Sequence, residues 1–588
     1  MSRHKILLLF LIIGLSQSIV LSQNLKLKGK VTDPYKNNPV VGAIVSFSNR
    51  EGSVETNING EFEVELEKLN GEISVWSPGY YTYVLKINNQ TEVNVVLIPQ
   101  DKHGYAEKMI IPILGVENTS EKYTNITSIQ KNGINLNKTD IDQSLVNIPG
   151  LQLIGKSGMS GEGNYINIRN SNSFIAKSSP LIVVNGMPYM PDMNESATIG
   201  GWSRNVLLSL NAKDIENITV LKGSETSVYG SLGSNGVIMI ETDKAIDLDT
   251  KVEFITQFGS MSNQAKFPLL GVSDYKRYIG NVALTKYPDM ANVLDAFPYL
   301  IDDPTYYKKF LYNNDIDWQN LIYKNGLFTD NVLKIKGGDA IAKYDISLGY
   351  QNNTSQLKGA GYTKFHTRLN ADVNLSKKMS FSSSVLMTYV SSNMQEQGMI
   401  EQTNPLLSAL KKAPLLSPYQ KDADNNLLPD FATIRDEFGH LIENNMVSNP
   451  LAVVNDVKMK EHLYDVFTNF ALNYKWTKEL SLKGIFGLYY FKNYQSAFVP
   501  GVSNKTIMPF DDGVAINTIR AGQSETFNTY FNLYSNYAKI FNEVHAVKAS
   551  LGTQVAMNKS EYDAGSGINS SSDFYKTLNY ISTVGGRS

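Results

Sequence analysis

The stretch DIENITVLKGSETSVYGSLGSNGVIMI, residues 214–240, decides how the middle of this chain folds. An apolar run opens it, a second apolar run closes it, and glycines punctuate the polar segment between them. Glycine permits backbone conformations in which a side chain would collide, so these positions predict tight turns. The pattern therefore predicts a strand, a short helix and a second strand. The punctuating residues are Gly223, Gly230, Gly233 and Gly236.

The same stretch closely resembles the end of the plug domain in TonB-dependent outer-membrane transporters, in particular those of the SusC/RagA family. The family pattern reads DIESIEVLKG and then YGSRAANGVI. This resemblance implies a gated import pore and not an enzyme. The residues that match the pattern are Leu221, Lys222, Gly223, Tyr229, Gly230, Asn235, Gly236, Val237 and Ile238.

The amino-acid composition excludes several classes of function. The chain has 588 residues, a net charge of −2 and no cysteine. The balanced charge gives no basic stripe for nucleic acid, and the lack of cysteine excludes disulfides, thiolate metal sites and a catalytic thiol. The six histidines form no close pair, so we predict no catalytic, cofactor-binding or metal-binding residues. The 33 tyrosines fit the aromatic girdles of a membrane barrel, and they fit a large soluble β protein equally well.

The first 22 residues have the features of a secretory signal peptide. Arg3, His4 and Lys5 give a basic start, a short apolar run follows, and small residues precede a cleavage position after Ser22. The apolar run is too short to cross a bilayer. This segment therefore predicts an exported protein.

Residues 23–99 contain short runs of alternating apolar residues, which predict a small β-sandwich. Asn59-Gly60 lies between two of these runs and predicts a hairpin, because both residues tolerate positive φ. The segment resembles the carboxypeptidase regulatory-like domain that precedes the plug in SusC-type proteins, a name that implies no peptidase activity. The matching residues are Gly29, Val31, Asp33, Pro39, Gly42, Ala43, Thr56, Asn59, Gly60, Phe62, Gly79 and Tyr80.

Residues 100–120 form a linker with a single apolar run. In the family this position carries the TonB box, an extended segment that pairs with the periplasmic domain of TonB by strand addition. Pro112 removes one backbone donor and restricts pairing on one edge. The run is either the TonB box or a structural linker strand. The candidate TonB contacts are Met109, Ile110, Ile111, Ile113, Leu114 and Val116.

Residues 121–245 are the predicted plug domain. Residues 165–169 alternate like a strand and resemble the family segment IRIRG, and residues 180–188 resemble PLYVVDGVP. The second segment predicts a buried strand that contains Val184 and runs into a tight turn at Asn185-Gly186. Plug arginines in the family pair with acidic residues of the barrel wall, so Arg169 is expected to make such a buried pair. A solvated strand charge is the alternative.

Residues 246–588 alternate apolar and polar side chains over runs of about ten residues, as membrane β-barrels do. Leu333 and Ile335, for example, alternate with Lys334 and Lys336. About nine strands can be counted, fewer than most single-chain barrels contain. We therefore expect the N-terminal portion of an outer-membrane β-barrel, and a chain that is the first part of a transporter.

Two long interruptions lie between these runs, near residues 261–328 and 393–461. Extracellular loops of outer-membrane barrels are long, whereas periplasmic turns are short. Loops of this length are usually functional. Their aromatic residues either stack on a sugar ring or peptide, or pack the loops themselves. They include Tyr306, Tyr307, Trp318 and Tyr419.

The features together predict a mostly β protein with an N-terminal β-sandwich, an α+β plug and a partial transmembrane antiparallel β-barrel. The resemblance implies TonB-dependent import of a nutrient, a glycan or a peptide, across the bacterial outer membrane. It also implies TonB with ExbB/ExbD as partner, a SusD-like surface lipoprotein, and contact with outer-membrane lipid. The alternative is a non-transporting envelope or surface interaction protein that keeps the plug, or a truncated, non-functional fragment.

Overall fold

The computed structural model describes residues 25–32, 39–48, 50–66, 68–77, 80, 82–97, 108–111, 115–118, 126–134, 140–169, 178–190, 198, 202–244, 248–262, 266–306, 309–339, 341–398, 400, 402–422, 424–433, 447–500, 506–507, 517–541 and 545–587. Two compact units make up the chain, residues 1–111 with 115–123 and residues 112–114 with 124–588. The proposed signal peptide, residues 1–22, lies outside the described residues.

Seven strands in two sheets form the body of the first unit. One sheet has the order β4-β1-β7 and the other β3-β2-β5-β6. Leu27 of the first strand lies opposite Val64 of the fourth, and both are buried in the core between the sheets. This arrangement confirms the predicted β-sandwich. The strands are β1 (Leu25–Thr32), β2 (Ile44–Phe47), β3 (Arg50–Glu55), β4 (Glu61–Leu66), β5 (Asn70–Trp76), β6 (Tyr83–Asn88) and β7 (Glu92–Val96).

The hairpin predicted at Asn59-Gly60 is wrong. The strands on either side of it, β3 and β4, belong to different sheets, so the dipeptide forms a turn that crosses the sandwich. The side chain of Asn57 holds this turn, because its Oδ1 accepts the N–H groups of Asn59 and Glu61, each at 2.9 Å. Gly60 adopts a φ of 73°, as the turn requires.

The linker contains a small antiparallel hairpin of β8 (Lys108–Ile111) and β9 (Gly115–Asn118), in which Ile110 lies opposite Val116. Four of the candidate TonB contacts, Met109, Ile110, Ile111 and Val116, are therefore in extended backbone that is already paired within the linker. The other two, Ile113 and Leu114, lie outside the described residues.

The second unit begins with the plug, which is built on a five-stranded sheet of order β10-β15-β16-β13-β14 and a separate pair, β11-β12. The stretch quoted first supplies β15 and β16, which pair antiparallel with Leu221 opposite Val237. Between them the helix is 3₁₀ in type, and it is kinked where Gly230 adopts φ 57° and ψ −139°. The strands are β10 (Ile126–Gln130), β11 (Leu151–Gly155), β12 (Asn164–Ile168), β13 (Leu181–Val184), β14 (Met187–Tyr189), β15 (Ile215–Leu221) and β16 (Val237–Thr242).

Ten antiparallel strands follow as one large sheet, here called the wall sheet, whose strand order is β17-β18-β19-β20-β21-β24-β25-β26-β27-β28. Within the described residues this sheet has ten strands, where the pattern predicts about nine. The strands are β17 (Leu248–Met261), β18 (Gly326–Gly338), β19 (Ala342–Thr354), β20 (Gly361–Asn374), β21 (Met379–Met394), β22 (Tyr419–Lys421), β23 (Leu427–Phe431), β24 (Lys458–Lys475), β25 (Leu480–Pro500), β26 (Asn517–Phe541), β27 (His545–Ser570) and β28 (Ile581–Arg587), of which β22 and β23 form a separate pair.

The two faces of the wall sheet differ in polarity, as the alternation predicted. On β18, Asp330 and Lys334 are buried on the face that carries the plug, whereas Leu327 points to the other face and is exposed. Phe365 on β20 and Phe486 on β25 are likewise exposed on the outer face. The wall sheet therefore presents polar groups inward and apolar groups outward, as a membrane barrel does.

Long and short connections alternate along the wall sheet. Short turns follow β18, β20, β24 and β26, and the two longest connections, residues 262–325 and 395–457, follow β17 and β21. Among the described residues, no helix is long and apolar enough to cross a membrane. The helices in the long connections are α1 (Val272–Leu284), α2 (Met290–Ala296), α3 (Trp318–Ile322), α4 (Pro405–Lys411) and α5 (Pro450–Asp456).

The aromatic residues of the long connections mostly pack the connections themselves. Trp318 is 2 % exposed, and its indole N–H donates to the C=O of Ala413 at 3.0 Å. Tyr306 packs against the same apolar cluster, and Tyr419 stacks on Phe431 with ring centroids 5.6 Å apart. Tyr307, named with them above, lies outside the described residues.

Candidate functional site between the plug and the wall sheet

The plug lies against the inner face of the wall sheet from β18 to β26. One apolar core joins the two, and it contains Leu207 and Tyr189 of the plug as well as Phe467, Tyr489 and Tyr530 of the wall sheet. Around this core the contact is polar and buried. Three of its polar parts each join a plug segment to neighbouring strands, and Lys213 of the plug makes a further buried ion pair with Asp330 of β18.

The first part is a group of ionisable side chains, here called the charge cluster. It consists of Asp214 and Asp243 from the plug and of Lys334, Asp345, His366 and Arg368 from β18, β19 and β20. All six side chains are buried. The register of the wall sheet brings the four wall residues together, because β18, β19 and β20 are neighbours.

Asp214 faces three basic groups. Its Oδ1 lies 3.3 Å from Nζ of Lys334 and 3.5 Å from Nε of Arg368, and its Oδ2 lies 3.3 Å from Nε2 of His366. These are ion-pair distances and not aligned hydrogen bonds. Burial opposes ionisation, but His366, Arg368 and Lys334 outweigh it and hold the pKa of Asp214 well below its usual range.

Asp243 is the second plug carboxylate of the cluster. Its Oδ2 accepts Nζ of Lys334 at 2.8 Å, and its backbone C=O accepts Nη1 of Arg368 at 2.9 Å and Nδ2 of Asn370 at 2.6 Å. From the plug side, Lys131 also donates to both oxygens of this carboxylate. Burial raises the pKa of Asp243, but Lys334 and Lys131 lower it by more, so the pKa lies below its usual range.

The arginine of the cluster completes the charge balance. Nη2 of Arg368 donates to Oδ1 of Asp345 at 2.6 Å, and both side chains are 1 % exposed. Three carboxylates thus face three permanent cations when Lys131 is included. Buried charges are stable only when they are paired in this way, so removal of one member leaves another charge uncompensated.

The second part of the site joins the β13–β14 hairpin to β24 and β25. The hydroxyl of Tyr189 donates to Oδ2 of Asp465 at 2.5 Å, and that of Tyr489 donates to the same oxygen at 3.2 Å. The Tyr189 and Tyr489 rings meet edge to face, with centroids 5.0 Å apart. Burial and the charge of Asp465 raise the pKa of Tyr189 well above its usual value, so its hydroxyl stays a donor.

The turn of the same hairpin also reaches the wall sheet. Asn185 and Gly186 both have positive φ, 48° and 83°, as a two-residue hairpin between paired strands requires. Nδ2 of Asn185 donates to the hydroxyl of Ser384 at 2.8 Å, and its C=O accepts Nδ2 of Asn469 at 2.7 Å. The predicted tight turn is confirmed, and Val184 before it is fully buried.

The third part is an arginine–glutamate pair. Nε and Nη2 of Arg204 lie 3.2 and 3.0 Å from Oε1 of Glu461, and both side chains are buried, at 8 % and 2 % exposed. The guanidinium also lies over the ring of Phe491, 4.9 Å from its centroid. Gln495 donates to the same glutamate oxygen at 3.0 Å.

This pair corrects the prediction made for Arg169. Arg169 is exposed, has a φ of 56°, and makes no ion pair with an acidic residue of the wall sheet within the described part of the chain. Its backbone N–H instead donates to the C=O of Gly150 at 3.0 Å, which places the residue in a turn after β12. The plug arginine that meets a wall carboxylate is Arg204, 257 positions before Glu461 in the chain.

The other predicted plug residues shape the plug itself. Leu221 is fully buried, and Tyr229 is buried beside Tyr530 and Tyr534 of β26. Nζ of Lys222 donates to Oγ1 of Thr127 and to the C=O of Pro149, each at 2.8 Å. Gly223, Gly230 and Gly236 lie in or beside the 3₁₀ segment, and Asn235 is half-buried next to Gly236.

Gly236 shows why this position needs glycine. Its φ is 87°, and a Cβ there would lie 2.7 Å from Cδ1 of Ile168. Glycine at this position therefore allows the start of β16 to pack closely against Ile168 of β12.

The charge cluster was not predicted from the sequence, although part of its signal was present. Asp214 opens the glycine-punctuated stretch 214–240, and the alternation around Lys334 predicts only that this lysine lies on the polar face of a strand. His366 and Arg368 occupy inward positions of an alternating strand. Within the described ranges, no group of three or more His, Cys, Asp or Glu side chains could hold a metal ion.

Comparisons with known proteins agree with this geometry. Residues 119–237 match the family described as the TonB-dependent Receptor Plug Domain. The TonB-dependent receptor SusC of Bacteroides thetaiotaomicron is 28 % identical over 371 residues, which cover 62 % of this chain and 34 % of SusC. The TonB-dependent receptor P26 of Formosa agariphila is 23 % identical over 442 residues, which cover 74 % of this chain and 40 % of P26.

A solved structure of the RagAB peptide transporter has the same fold. The TM-score is 0.61 at 18 % identity, and the match covers 79 % of this chain and 51 % of the RagAB chain. The chain thus spans between about a third and a half of the length of these relatives. In its plug domain and its wall sheet, the chain is thus similar to TonB-dependent receptors of the SusC/RagA type.

Proposed function

We propose that the protein imports a nutrient across the bacterial outer membrane by TonB-dependent opening of the plug. The observation that carries this proposal is the buried polar contact between the plug and the inner face of the wall sheet, centred on Asp214 and Lys334. Such a contact would keep the plug in place and the pore closed at rest. It can also be broken reversibly, because its charged side chains can be hydrated when the plug separates from the wall sheet. The protein is then a transporter and not an enzyme.

The division of the chain follows from the same proposal. Residues 1–22 act as signal peptide, 23–99 form the sandwich, 100–120 the linker, 121–245 the plug and 246–588 the barrel portion. The exposed apolar face of the wall sheet, with Phe365 and Phe486, contacts outer-membrane lipid.

Two partners belong to the proposal. TonB, energised by ExbB/ExbD, takes hold of the linker. A SusD-like surface lipoprotein lies over the long connections, residues 262–325 and 395–457, which pack together through α3, α4 and α5 around Trp318. RagAB, whose solved structure has the same fold, is a peptide transporter, which supports this assignment and a peptide as one of the two candidate cargoes.

The cargo is a peptide or a glycan, and uptake measurements separate the two. Cells that express the complete reading frame are given fluorescent peptides of graded length or labelled oligosaccharides. We expect saturable uptake of one class, and its loss in cells that lack TonB. Uptake of neither class by protein present at the cell surface would favour the non-transporting envelope role.

A substitution in the linker tests its role as the TonB box. Ile110→Pro removes a backbone donor that strand addition would use, whereas Ile110→Val keeps the backbone unchanged. We expect uptake to be lost with the first variant and kept with the second, at equal surface levels. Deletion of residues 105–117 should have the same effect as Ile110→Pro. Unchanged uptake after the deletion would remove this segment from the coupling.

A further inference from the structure

Aromatic rings form a belt on the outer face of the wall sheet, toward the strand ends that carry the long connections. The rings of Tyr350 on β19 and Phe365 on β20 have centroids 5.0 Å apart, and so do those of Tyr389 on β21 and Tyr464 on β24. Tyr494 of β25 is exposed on the same face. In membrane barrels such belts lie at the level of the lipid headgroups.

Basic and hydroxyl side chains lie on this face at the upper border of the belt. Lys460 of β24 is exposed, and its cross-strand neighbours, Asn393 and Ser496, are uncharged. His462 is the next outward residue of β24. Its Nδ1 lies 3.0 Å from the hydroxyl oxygen of Tyr389, and the two rings are nearly parallel, which fixes the imidazole against the belt.

A second lysine lies beside them on β25. Nζ of Lys492 is 2.9 Å from Oε2 of Glu525 and 5.1 Å from the centroid of the Tyr494 ring. Two ammonium groups, Lys460 and Lys492, thus share one face with a single imidazole and one paired carboxylate. Phosphate is the anion that ammonium groups and hydroxyls on one surface bind most strongly, through charge-assisted hydrogen bonds.

A cavity of 450 Å³ adjoins these lysines. Tyr494, Gln523 and Asp563 line it, and because they lie directly opposite one another on β25, β26 and β27, they share one face. Leu578 and Asn579, from the connection after β27, also line the cavity. The volume is that of a small-ligand site, and one ring with amide and carboxylate groups suits a sugar, whose face stacks and whose hydroxyls bond.

Below the belt the same face is apolar. Met387 of β21, Phe486 of β25 and Phe527 of β26 are all exposed there. One continuous surface therefore offers apolar side chains, then rings, then cations and a polar cavity. A molecule that fits all four has acyl chains, an anionic group and a sugar.

We propose that this part of the outer face binds a phosphorylated glycolipid of the outer leaflet. Its phosphate lies at Lys460 and Lys492, its sugar enters the cavity beside Tyr494, and its acyl chains run along Met387 and Phe527. An ordinary phospholipid can use the lysines and the apolar residues, but it has no sugar for the cavity. The inference goes beyond the proposed import and takes from it only the orientation, with the long connections outside the cell.

A binding measurement on the purified protein in detergent tests the inference without transport. The probes are an acylated glucosamine disaccharide phosphate, the same glycolipid without its phosphate, phosphatidylglycerol, and soluble glucosamine 1-phosphate. Native mass spectrometry counts the molecules of each that are bound. We expect the phosphorylated glycolipid to bind roughly tenfold more tightly than the other three. Equal affinity for phosphatidylglycerol, or for the soluble sugar phosphate, would overturn the inference.

Two lysine substitutions test the position of the phosphate. Lys460→Gln with Lys492→Gln should weaken the phosphorylated glycolipid by roughly tenfold and leave the dephosphorylated form unchanged, because only the phosphate needs the charge. Lys475→Gln with Lys478→Gln is the matched control, since both lysines are exposed and lie at the opposite end of β24. An equal loss in the control would mean bulk attraction of an anion to a cationic protein and would sink the proposed site.

Substitutions of Tyr494 test the position of the sugar. Tyr494→Ala should abolish the preference for the glycolipid over phosphatidylglycerol, and Tyr494→Phe should keep it, because the ring remains. Tyr494 is 40 % exposed, so both variants should unfold at the temperature of the unchanged protein, which separates lost binding from lost folding. A Tyr494→Ala protein with its preference intact would contradict the cavity as the sugar site. None of these results depends on whether a solute is imported.

Discussion

The side chain of Met187 in the plug fills the space where a Cβ on Gly487 of β25 would lie. The wall sheet has a pit at this point because Gly487 has no side chain, and the β13–β14 hairpin enters it. Met187 is fully buried there. The packing of Met187 against Gly487 adds to the hydrogen bonds of Tyr189 and Asn185. The hairpin is therefore held on the wall sheet by steric complementarity as well as by hydrogen bonds.

Gly487→Val is therefore expected to push the hairpin out of its pit. Overpacking of this kind costs about 1–3 kcal/mol, and the loss should appear as faster hydrogen exchange in residues 181–189. Met187→Ala in the same protein should restore protection, because it makes room for the valine. Gly484→Val is the matched control on the same strand, where a Cβ would meet Leu533 at an ordinary 3.7 Å. Equal exchange in both glycine variants would contradict the fit.

Asp214→Asn is expected to destabilise the second unit at neutral pH. Removal of one partner from a buried charge group costs about 3–5 kcal/mol, because the cations it faced remain buried. The measurement is unfolding by denaturant in detergent. Asp302→Asn is the control, because Asp302 pairs with Lys309 on an exposed connection and its loss should change little. A small effect at Asp214 would show that water already screens the cluster.

The stability should also depend on pH through Asp214. Its pKa is lower in the folded protein than in the unfolded chain, since the facing cations outweigh burial. Such a group contributes stability above its unfolded pKa and loses this contribution as the pH falls toward its folded pKa. The unfolded pKa is about 3.9, so plug docking should hold down to about pH 4 and weaken below it. Thermal unfolding between neutral and acid pH measures this, and Asp214→Asn should reduce the slope.

The Arg204–Glu461 pair should show an energetic coupling that Arg169 lacks. A double-mutant cycle with Arg204→Ala and Glu461→Ala is expected to give a coupling of about 0.5–3 kcal/mol, as contacting buried residues do. Arg204→Lys should not restore it, because lysine lacks the planar fork that also covers Phe491. The same cycle with Arg169→Ala should give no coupling. Equal couplings for both arginines would contradict the assignment of Arg204.

Trp318 tests whether the long connections are packed without a ligand. Trp318→Ala removes a buried indole and should cost about 3–5 kcal/mol, seen as faster proteolysis of residues 262–325 and 395–457. Trp476→Ala is the control, because Trp476 is 63 % exposed on a short turn. A Trp318 variant that stays protease-resistant but loses cargo binding would instead make this residue a cargo contact.

Local patterns predicted the parts of this fold that depend on neighbouring residues. The alternation around Lys334 predicts a strand with one polar face, and Asn185-Gly186 predicts a tight turn, because each depends on a few adjacent side chains. Asn59-Gly60 has the same local signal, but the side chain of Asn57 and the pairing of β1 with β4 direct the chain to the other sheet.

Partners distant in the chain could not be predicted in this way. Arg169 and Arg204 are both plug arginines, but only Arg204 faces β24, the strand that carries Glu461. Which arginine reaches Glu461 depends on where the plug packs along β24. The charge cluster depends on the same information, because Asp214, Lys334 and Arg368 come from three remote segments that only the folded sheet brings together.

The inner face of the wall sheet carries unlike side chains on its two halves. Charged groups such as Lys334 and Arg368 line β18 to β20, whereas β24 and β25 carry rings such as Phe467 and Tyr489 beside two carboxylates, Glu461 and Asp465. Water can solvate separated ions far more readily than separated rings. A gap between the plug and the wall sheet would consequently open first along β18 to β20, while the contact with β24 and β25 would act as the hinge.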